Sequence, residues 1–197
     1  MPRRITYNAP VVLTFTLLSL AVLLLGDATG GATTDYLFTL KFTSLSDPAL
    51  YLRLFTYVLG HANWEHYSGN MMLLLLTGPM LEEKYGSRQL LTVVVFTAFT
   101  TGILHLILLP KVAVLGASGI VFAFILLASI TGSGERQIPL TLIVVAVIYL
   151  GGEMLSGVFE SDSISQLSHV AGGVIGCAFG YAFKPRRRAR ALEERKV

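Results

Sequence analysis

Six apolar runs, over residues 10–25, 67–81, 90–109, 118–130, 138–150 and 167–183, alternate with stretches that hold most of the charge. Runs of this kind read as membrane helices. The pattern therefore predicts an all-α membrane protein, a bundle of six transmembrane helices. The bundle occupies residues 1–183 as one domain with no linker or internal repeat, and residues 184–197 form a basic tail. Two runs are short: a crossing takes about 20 residues, and 118–130 and 138–150 each offer little more than a dozen. The first follows Pro110-Lys111-Val112-Ala113-Val114-Leu115-Gly116, apolar but punctuated by Pro and Gly. A loop dipping into the membrane fits that stretch. Irregular backbone at such depth is tolerated where it lines protein or a water-filled cavity, which puts Ser118 at the floor of a wet cavity open to the outside.

Composition agrees with the pattern. The chain is 53% hydrophobic and 14% charged, with a mean hydropathy of +0.67, more apolar surface than a soluble domain of this size can hide. Six spans put both termini on one side, together with Arg3, Arg4, Lys84, Arg88, Arg136 and the basic tail. The opposite side keeps Lys41, Arg53 and Lys111. The positive-inside rule then makes both ends cytoplasmic. The tail is expected to meet anionic lipid headgroups rather than nucleic acid, and the net charge of +3 mostly restates it. Arg3-Arg4 before an apolar run also resembles a secretory signal, with a loose cleavage site at Asp27-Ala28-Thr29-Gly30-Gly31. The single cysteine, Cys177, excludes an intramolecular disulfide.

Polar groups inside the apolar runs carry the candidate chemistry. Ser118 stands in Gly116-Ala117-Ser118-Gly119 at the start of the fourth run. There, free N–H groups and the positive end of the helix dipole suit a developing oxyanion, although a plain serine cap with packing glycines reads the same way. Position 120 is Ile, so the GxSxG elbow of α/β-hydrolases is not signalled. In the last run His169, Gly172, Gly176 and Gly180 share one helix face. Small residues four apart let membrane helices approach closely. Gly119 and Ala123 can answer from the fourth run and bring His169 toward Ser118. Ionisable groups at such depth default to function.

In the second run His66 and Asn70 lie one turn apart and offer side-chain N–H donors. A metal site from His61, Glu65 and His66 has weak spacing logic, and Asn70 also suits interhelical bonding. Thr97, Thr101 and His105 form a stripe expected to bond between helices. Glu82 and Glu83 are expected to tie helices together, and Asp27, Asp35 and Asp47 read as solvated outer-loop charges.

In this order the motifs resemble those of the rhomboid family of intramembrane serine proteases, prokaryotic type, with a six-span core. Arg53 precedes His61 by eight residues, and His61, His66 and Asn70 keep an HxxxxHxxxN spacing. Glu82 with Tyr85-Gly86-Ser87 resembles the family's E-x-x-x-G-S turn. GxSG then falls at Gly116–Gly119, and HxxGxxxG at His169, Gly172 and Gly176. The resemblance implies Ser118 as nucleophile and His169 as base, without an Asp. It implies an oxyanion hole from His66, Asn70 and the Ser118 N–H, with His61 and Arg53 in supporting positions. No metal or other cofactor is implied. The implied substrates are single-span membrane proteins cleaved in or near the membrane segment, at a cavity opening to the outside of a prokaryotic plasma membrane.

Two departures stand out. The Trp of the loop motif is Leu52, and the aromatic stacked on the catalytic histidine is Phe122 rather than Tyr. The loop over 151–165, polar but carrying Met154, Leu155, Val158 and Phe159, is expected to cap the cavity and move. Two other classes compete. A rhomboid-like protein that binds transmembrane helices without cutting them typically lacks the serine or histidine kept here. A small transporter calls for paired charges inside several spans, and the spans lack them.

Overall fold

A computed structural model describes residues 6–131, 140–141, 143–144, 147–148 and 163–183. The fifth run, the 151–165 loop and the basic tail fall wholly or largely outside these residues. Within the fifth run, positions 140–141, 143–144 and 147–148 are helical. Among the described residues the regular structure is helical, apart from one isolated antiparallel bridge, Leu40 with Val114.

The first run forms α1 (Pro10–Ala28), opened by a proline whose fixed φ suits a first helical turn. No side chain of its own caps it. Instead the Glu82 carboxylate accepts from the N–H of Val11 at 2.9 Å and of Val12 at 3.1 Å. Glu82 is thus a tie between helices, as expected. Two short helices follow where the sequence shows no long run: α2 (Ala32–Leu37) and α3 (Pro48–Thr56), the latter passing into a 3-10 turn at Tyr57–Leu59. Helix α3 is too short to register as a span, yet it is amphipathic. Leu50, Arg53 and Leu54 are buried while Tyr51, Leu52 and Phe55 face outward. Then come α4 (Trp64–Tyr85), α5 (Ser87–Leu108), α6 (Ser118–Ile130) and α7 (Ser163–Ala182). Helices α1 and α5 are each long and apolar enough to cross a membrane. Leu18, Leu24, Leu76, Leu91 and Val174 point outward, the surface that lipid contact requires.

Helix α6 is short because it is central. Every residue from Gly119 to Leu127 is buried, so no polar face is needed. Its tightest neighbour is α7. A Cβ added to Gly172 would overlap the Gly119 carbonyl, and one on Gly176 would overlap that of Ala123. Only glycine permits this backbone contact.

Asp47 corrects its reading as a solvated charge. Its carboxylate caps α3 by accepting from the Ala49 N–H at 2.9 Å, and it also accepts from the Thr43 hydroxyl at 2.7 Å and from Arg53 at 2.5 Å. Arg53 is buried and its Nε also donates to the Ala49 carbonyl. The Thr43 hydroxyl first, then the Ala49 N–H and the Arg53 cation, hold the Asp47 carboxyl below its ordinary value. A lowered carboxyl adds stability above its unfolded pKa and loses it as pH falls through the folded one.

Two outcomes are expected. Asp47→Asn should flatten the acid limb of the stability profile below about pH 4, followed by thermal unfolding in detergent across pH. Glu82→Ala should lower stability by about 2–3 kcal/mol, since two helix N–H groups lose a charged acceptor. An unchanged unfolding midpoint would show that the tie contributes nothing.

Candidate active site

The approach to Ser118 is pinned along its length. The His105 Nε2–H donates to the Val112 carbonyl at 2.9 Å. Val114 exchanges two hydrogen bonds with Leu40, each 2.9 Å, and the Gly116 N–H donates to the Tyr57 carbonyl at 3.0 Å. Tyr57 is in turn held by Thr101, its hydroxyl 2.6 Å from the threonine Oγ1. The stripe of Thr97, Thr101 and His105 is buried as a unit. Two of its members anchor the 3-10 turn and this loop rather than a neighbouring span. Helix α6 then starts at Ser118, with Ala117 as its N-cap and no side-chain capping bond. The Ile120 and Val121 N–H groups donate to the Ala117 carbonyl, and the Ser118 hydroxyl stands beside the Ser118 and Gly119 N–H groups, which come before any helical acceptor.

Helix α4 supplies the facing wall. The Asn63 side chain caps it by accepting from the His66 N–H at 2.8 Å, which fixes the turn carrying His66. Asn63 is a missed contributor, although an Asn just before a helical run is a legible cap signal. The Ala62 N–H points at His66 Nδ1 over 3.5 Å, so the ring proton belongs on Nε2. That edge lies against Gly116, where a Cβ would sit 2.8 Å from His66 Cε1 and Nε2. Gly116 also has φ +128, a region that only glycine enters freely. Asn70, one turn on, is 8% exposed, and its Nδ2 has no hydrogen-bond partner.

His61 backs this wall. Its Nδ1–H donates to the Leu59 carbonyl at 3.2 Å, and its ring meets His66 edge-on with centroids 5.0 Å apart. Burial, then His66, push His61 down to about 4, so it stays neutral.

Helix α7 brings His169. Its ring stacks on Phe122 with centroids 4.2 Å apart and planes 12° from parallel. The missing tyrosine hydroxyl leaves this contact intact. The glycine seam sets the distance between α6 and α7, and the Ser168 carbonyl comes close to Gly119. Ser118, His169, His66, Asn70 and Phe122 line one cavity of about 460 Å³ with Ser168, Leu73 and Val121. Arg53 is not among its lining residues; it belongs to the α3 cap. A hydroxyl, an imidazole held flat by an aromatic face and N–H donors around one cavity can support acyl transfer.

These features define an all-helical bundle with a serine and a histidine facing one interior cavity. The family model of the Rhomboid domain matches residues 48–186, and the chain belongs to the rhomboid family. It is an integral membrane protein. It is 27% identical over 131 residues to Rhomboid-like protein 11, chloroplastic, of Arabidopsis thaliana, covering 59% of this chain and 46% of that protein. It is 29% identical over 139 residues to Rhomboid-related protein 1 of Caenorhabditis elegans, covering 66% of this chain and 39% of that one. In both cases the chain spans less than half of the relative's length.

The contact between Gly116 and His66 yields a paired prediction. Gly116→Ala should cost about 1–3 kcal/mol through the positive φ and the collision with the ring. Gly69→Ala, where a Cβ meets nothing within 4 Å, should be neutral or stabilising by about 0.5–1 kcal/mol in its helix. Unfolding midpoints of the two variants check the contrast.

Proposed function

We propose that this protein is an intramembrane serine endopeptidase working through a Ser118–His169 dyad. The observation that carries the reading is the shared cavity. Serine, histidine, two side-chain N–H donors and the stacked Phe122 face one space, from three different helices. Family membership supports the same conclusion.

In this reaction His169 takes the proton of Ser118 as its Oγ bonds to the carbonyl carbon of the scissile peptide. The oxyanion is met by the His66 Nε2–H, the Asn70 Nδ2–H and the Ser118 backbone N–H. Collapse breaks the C–N bond, and His169 returns the proton to the leaving amine. A water from the cavity, deprotonated by His169, then attacks the acyl carbon; the ester C–Oγ bond breaks, the new acid leaves, and His169 returns its proton to the Ser118 Oγ. Stacking on Phe122 orients the imidazole, a task that a carboxylate performs in triads. No step calls on a metal or cofactor.

The substrates are single-span membrane proteins cut in or near their membrane segment. The chain forms a six-span bundle over 1–183 with both ends cytoplasmic and the cavity opening to the outside, in a prokaryotic plasma membrane.

Purified protein should react with a fluorophosphonate probe and cleave a model single-span substrate. Ser118→Ala and His169→Ala should each lose about 10⁴-fold or more in kcat, and Asn70→Ala about 10²–10³-fold. Phe122→Tyr should stay active, whereas Phe122→Ala should lose the stack and most of the rate. Labelling that survives Ser118→Ala sinks the proposal. So does a parent that binds the substrate without labelling or cleavage, the behaviour of an inactive helix-binding relative.

A further inference from the structure

Helix α5 has two contrasting faces. Val93, Val94, Thr97, Ala98 and Thr101 are buried. Arg88, Leu91, Thr92, Val95, Phe96 and Phe99 are exposed and line a groove of about 560 Å³. These residues recur at helical spacing, so they form one stripe along the helix. The stripe begins at the end of the bundle away from Ser118. Just before Arg88, the Tyr85 hydroxyl lies 3.0 Å from the Thr131 Oγ1, immediately past the end of α6. At the far end of the stripe Phe55 of α3 stacks on Phe99, with centroids 5.6 Å apart and planes 18° from parallel.

The chemistry of the groove changes once along its length. Among the described residues Arg88 is its one charged lining group, and no carboxylate pairs with the guanidinium. Arg88 stands in the first turn of α5, which holds no acidic residue, so the positive end of the helix dipole adds to its charge. The Thr92 hydroxyl donates back to the Arg88 carbonyl at 2.9 Å. Beyond Thr92 the lining side chains are all apolar. A suitable guest is anionic at one end and a long apolar chain behind it.

From Arg88 to Phe99 the helix rises roughly 16 Å at 1.5 Å per residue. That is close to half of a hydrocarbon core of about 30 Å, the reach of one acyl chain. A second membrane helix fits worse. Helices approach closely where small residues open the surface, and this stripe carries Leu91, Val95, Phe96 and Phe99 instead. A flexible acyl chain can follow such a surface, and a guanidinium meets phosphate oxygens two at a time.

We propose that this groove binds one anionic phospholipid, in the leaflet away from the Ser118 cavity. Its phosphate pairs with Arg88, and an acyl chain lies along α5 as far as the Phe55–Phe99 pair. The lipid touches both α3 and α5, so its occupancy braces the contact between them. The site depends on residence in a membrane and not on the proteolytic reading.

The test is native mass spectrometry of the full-length protein released from non-ionic detergent, with phosphatidylglycerol and phosphatidylcholine of identical acyl chains. One phosphatidylglycerol should be held about tenfold more tightly than phosphatidylcholine, and should raise the unfolding midpoint by more. Arg88→Gln should bring the two lipids level. Thr92→Trp, which fills the groove and keeps the charge, should weaken retention of both. Lys111→Gln removes an exposed cation outside the groove and should change nothing. Inorganic phosphate, lacking the chain, should not compete. Equal retention of the two lipids by the parent overturns the site, as does a preference that survives Arg88→Gln or falls equally with Lys111→Gln. Full retention by Thr92→Trp, or competition by phosphate, overturns it as well.

Discussion

The rest of the site depends on one contact between two backbones. Gly172 and Gly176 of α7 lie on the carbonyls of Gly119 and Ala123 in α6, with no room for a Cβ. Packing in a membrane has little hydrophobic drive between helices, so fit at this range decides which helices pair and in what register. The register matters because His169 is one turn before Gly172, while Ser118 directly precedes Gly119. Sliding α7 by a turn would carry the imidazole off the Phe122 face on which it stacks.

Around that seam the chain builds rigidity from polar groups that sequence pattern alone treats as separate. Thr101 holds Tyr57, Tyr57 accepts from Gly116, and His105 holds Val112. Together these links join α5, partly through the 3-10 turn, to the segment leading into Ser118. The outcome is a loop with few options, set beside a helix start where the Ser118 and Gly119 N–H groups precede any helical acceptor. Asn63 does the same for His66. Side chains that touch no substrate thus place those facing the cavity.

Much of this was legible beforehand, for identifiable reasons. Glycines at a helical period declare a close face, and His169, Ser118, His66 and Asn70 are conspicuous because polar groups are costly in apolar runs. The runs marked α1, α4, α5, α6 and α7 because membrane-length apolar stretches have few alternatives. What escaped depends on tertiary partners. Helices α2 and α3 are too short to show as runs, though Asp47-Pro48 is a legible start signal. Asp47 passed for a solvated charge because its partners, Thr43 and Arg53, meet it only once α3 turns. Thr101 and His105 were read as bonding to other spans, whereas they bond to connecting segments, which no periodicity reveals.

The tie at Glu82 bears on the order in which the chain is made. Helix α1 is made before α4, yet the acceptor for its leading N–H groups lies 71 residues further along, near the end of α4. Until that carboxylate is made, the N–H groups of Val11 and Val12 lack their folded-state acceptor and must find another partner such as water. During synthesis α1 therefore exists for a time without its latch.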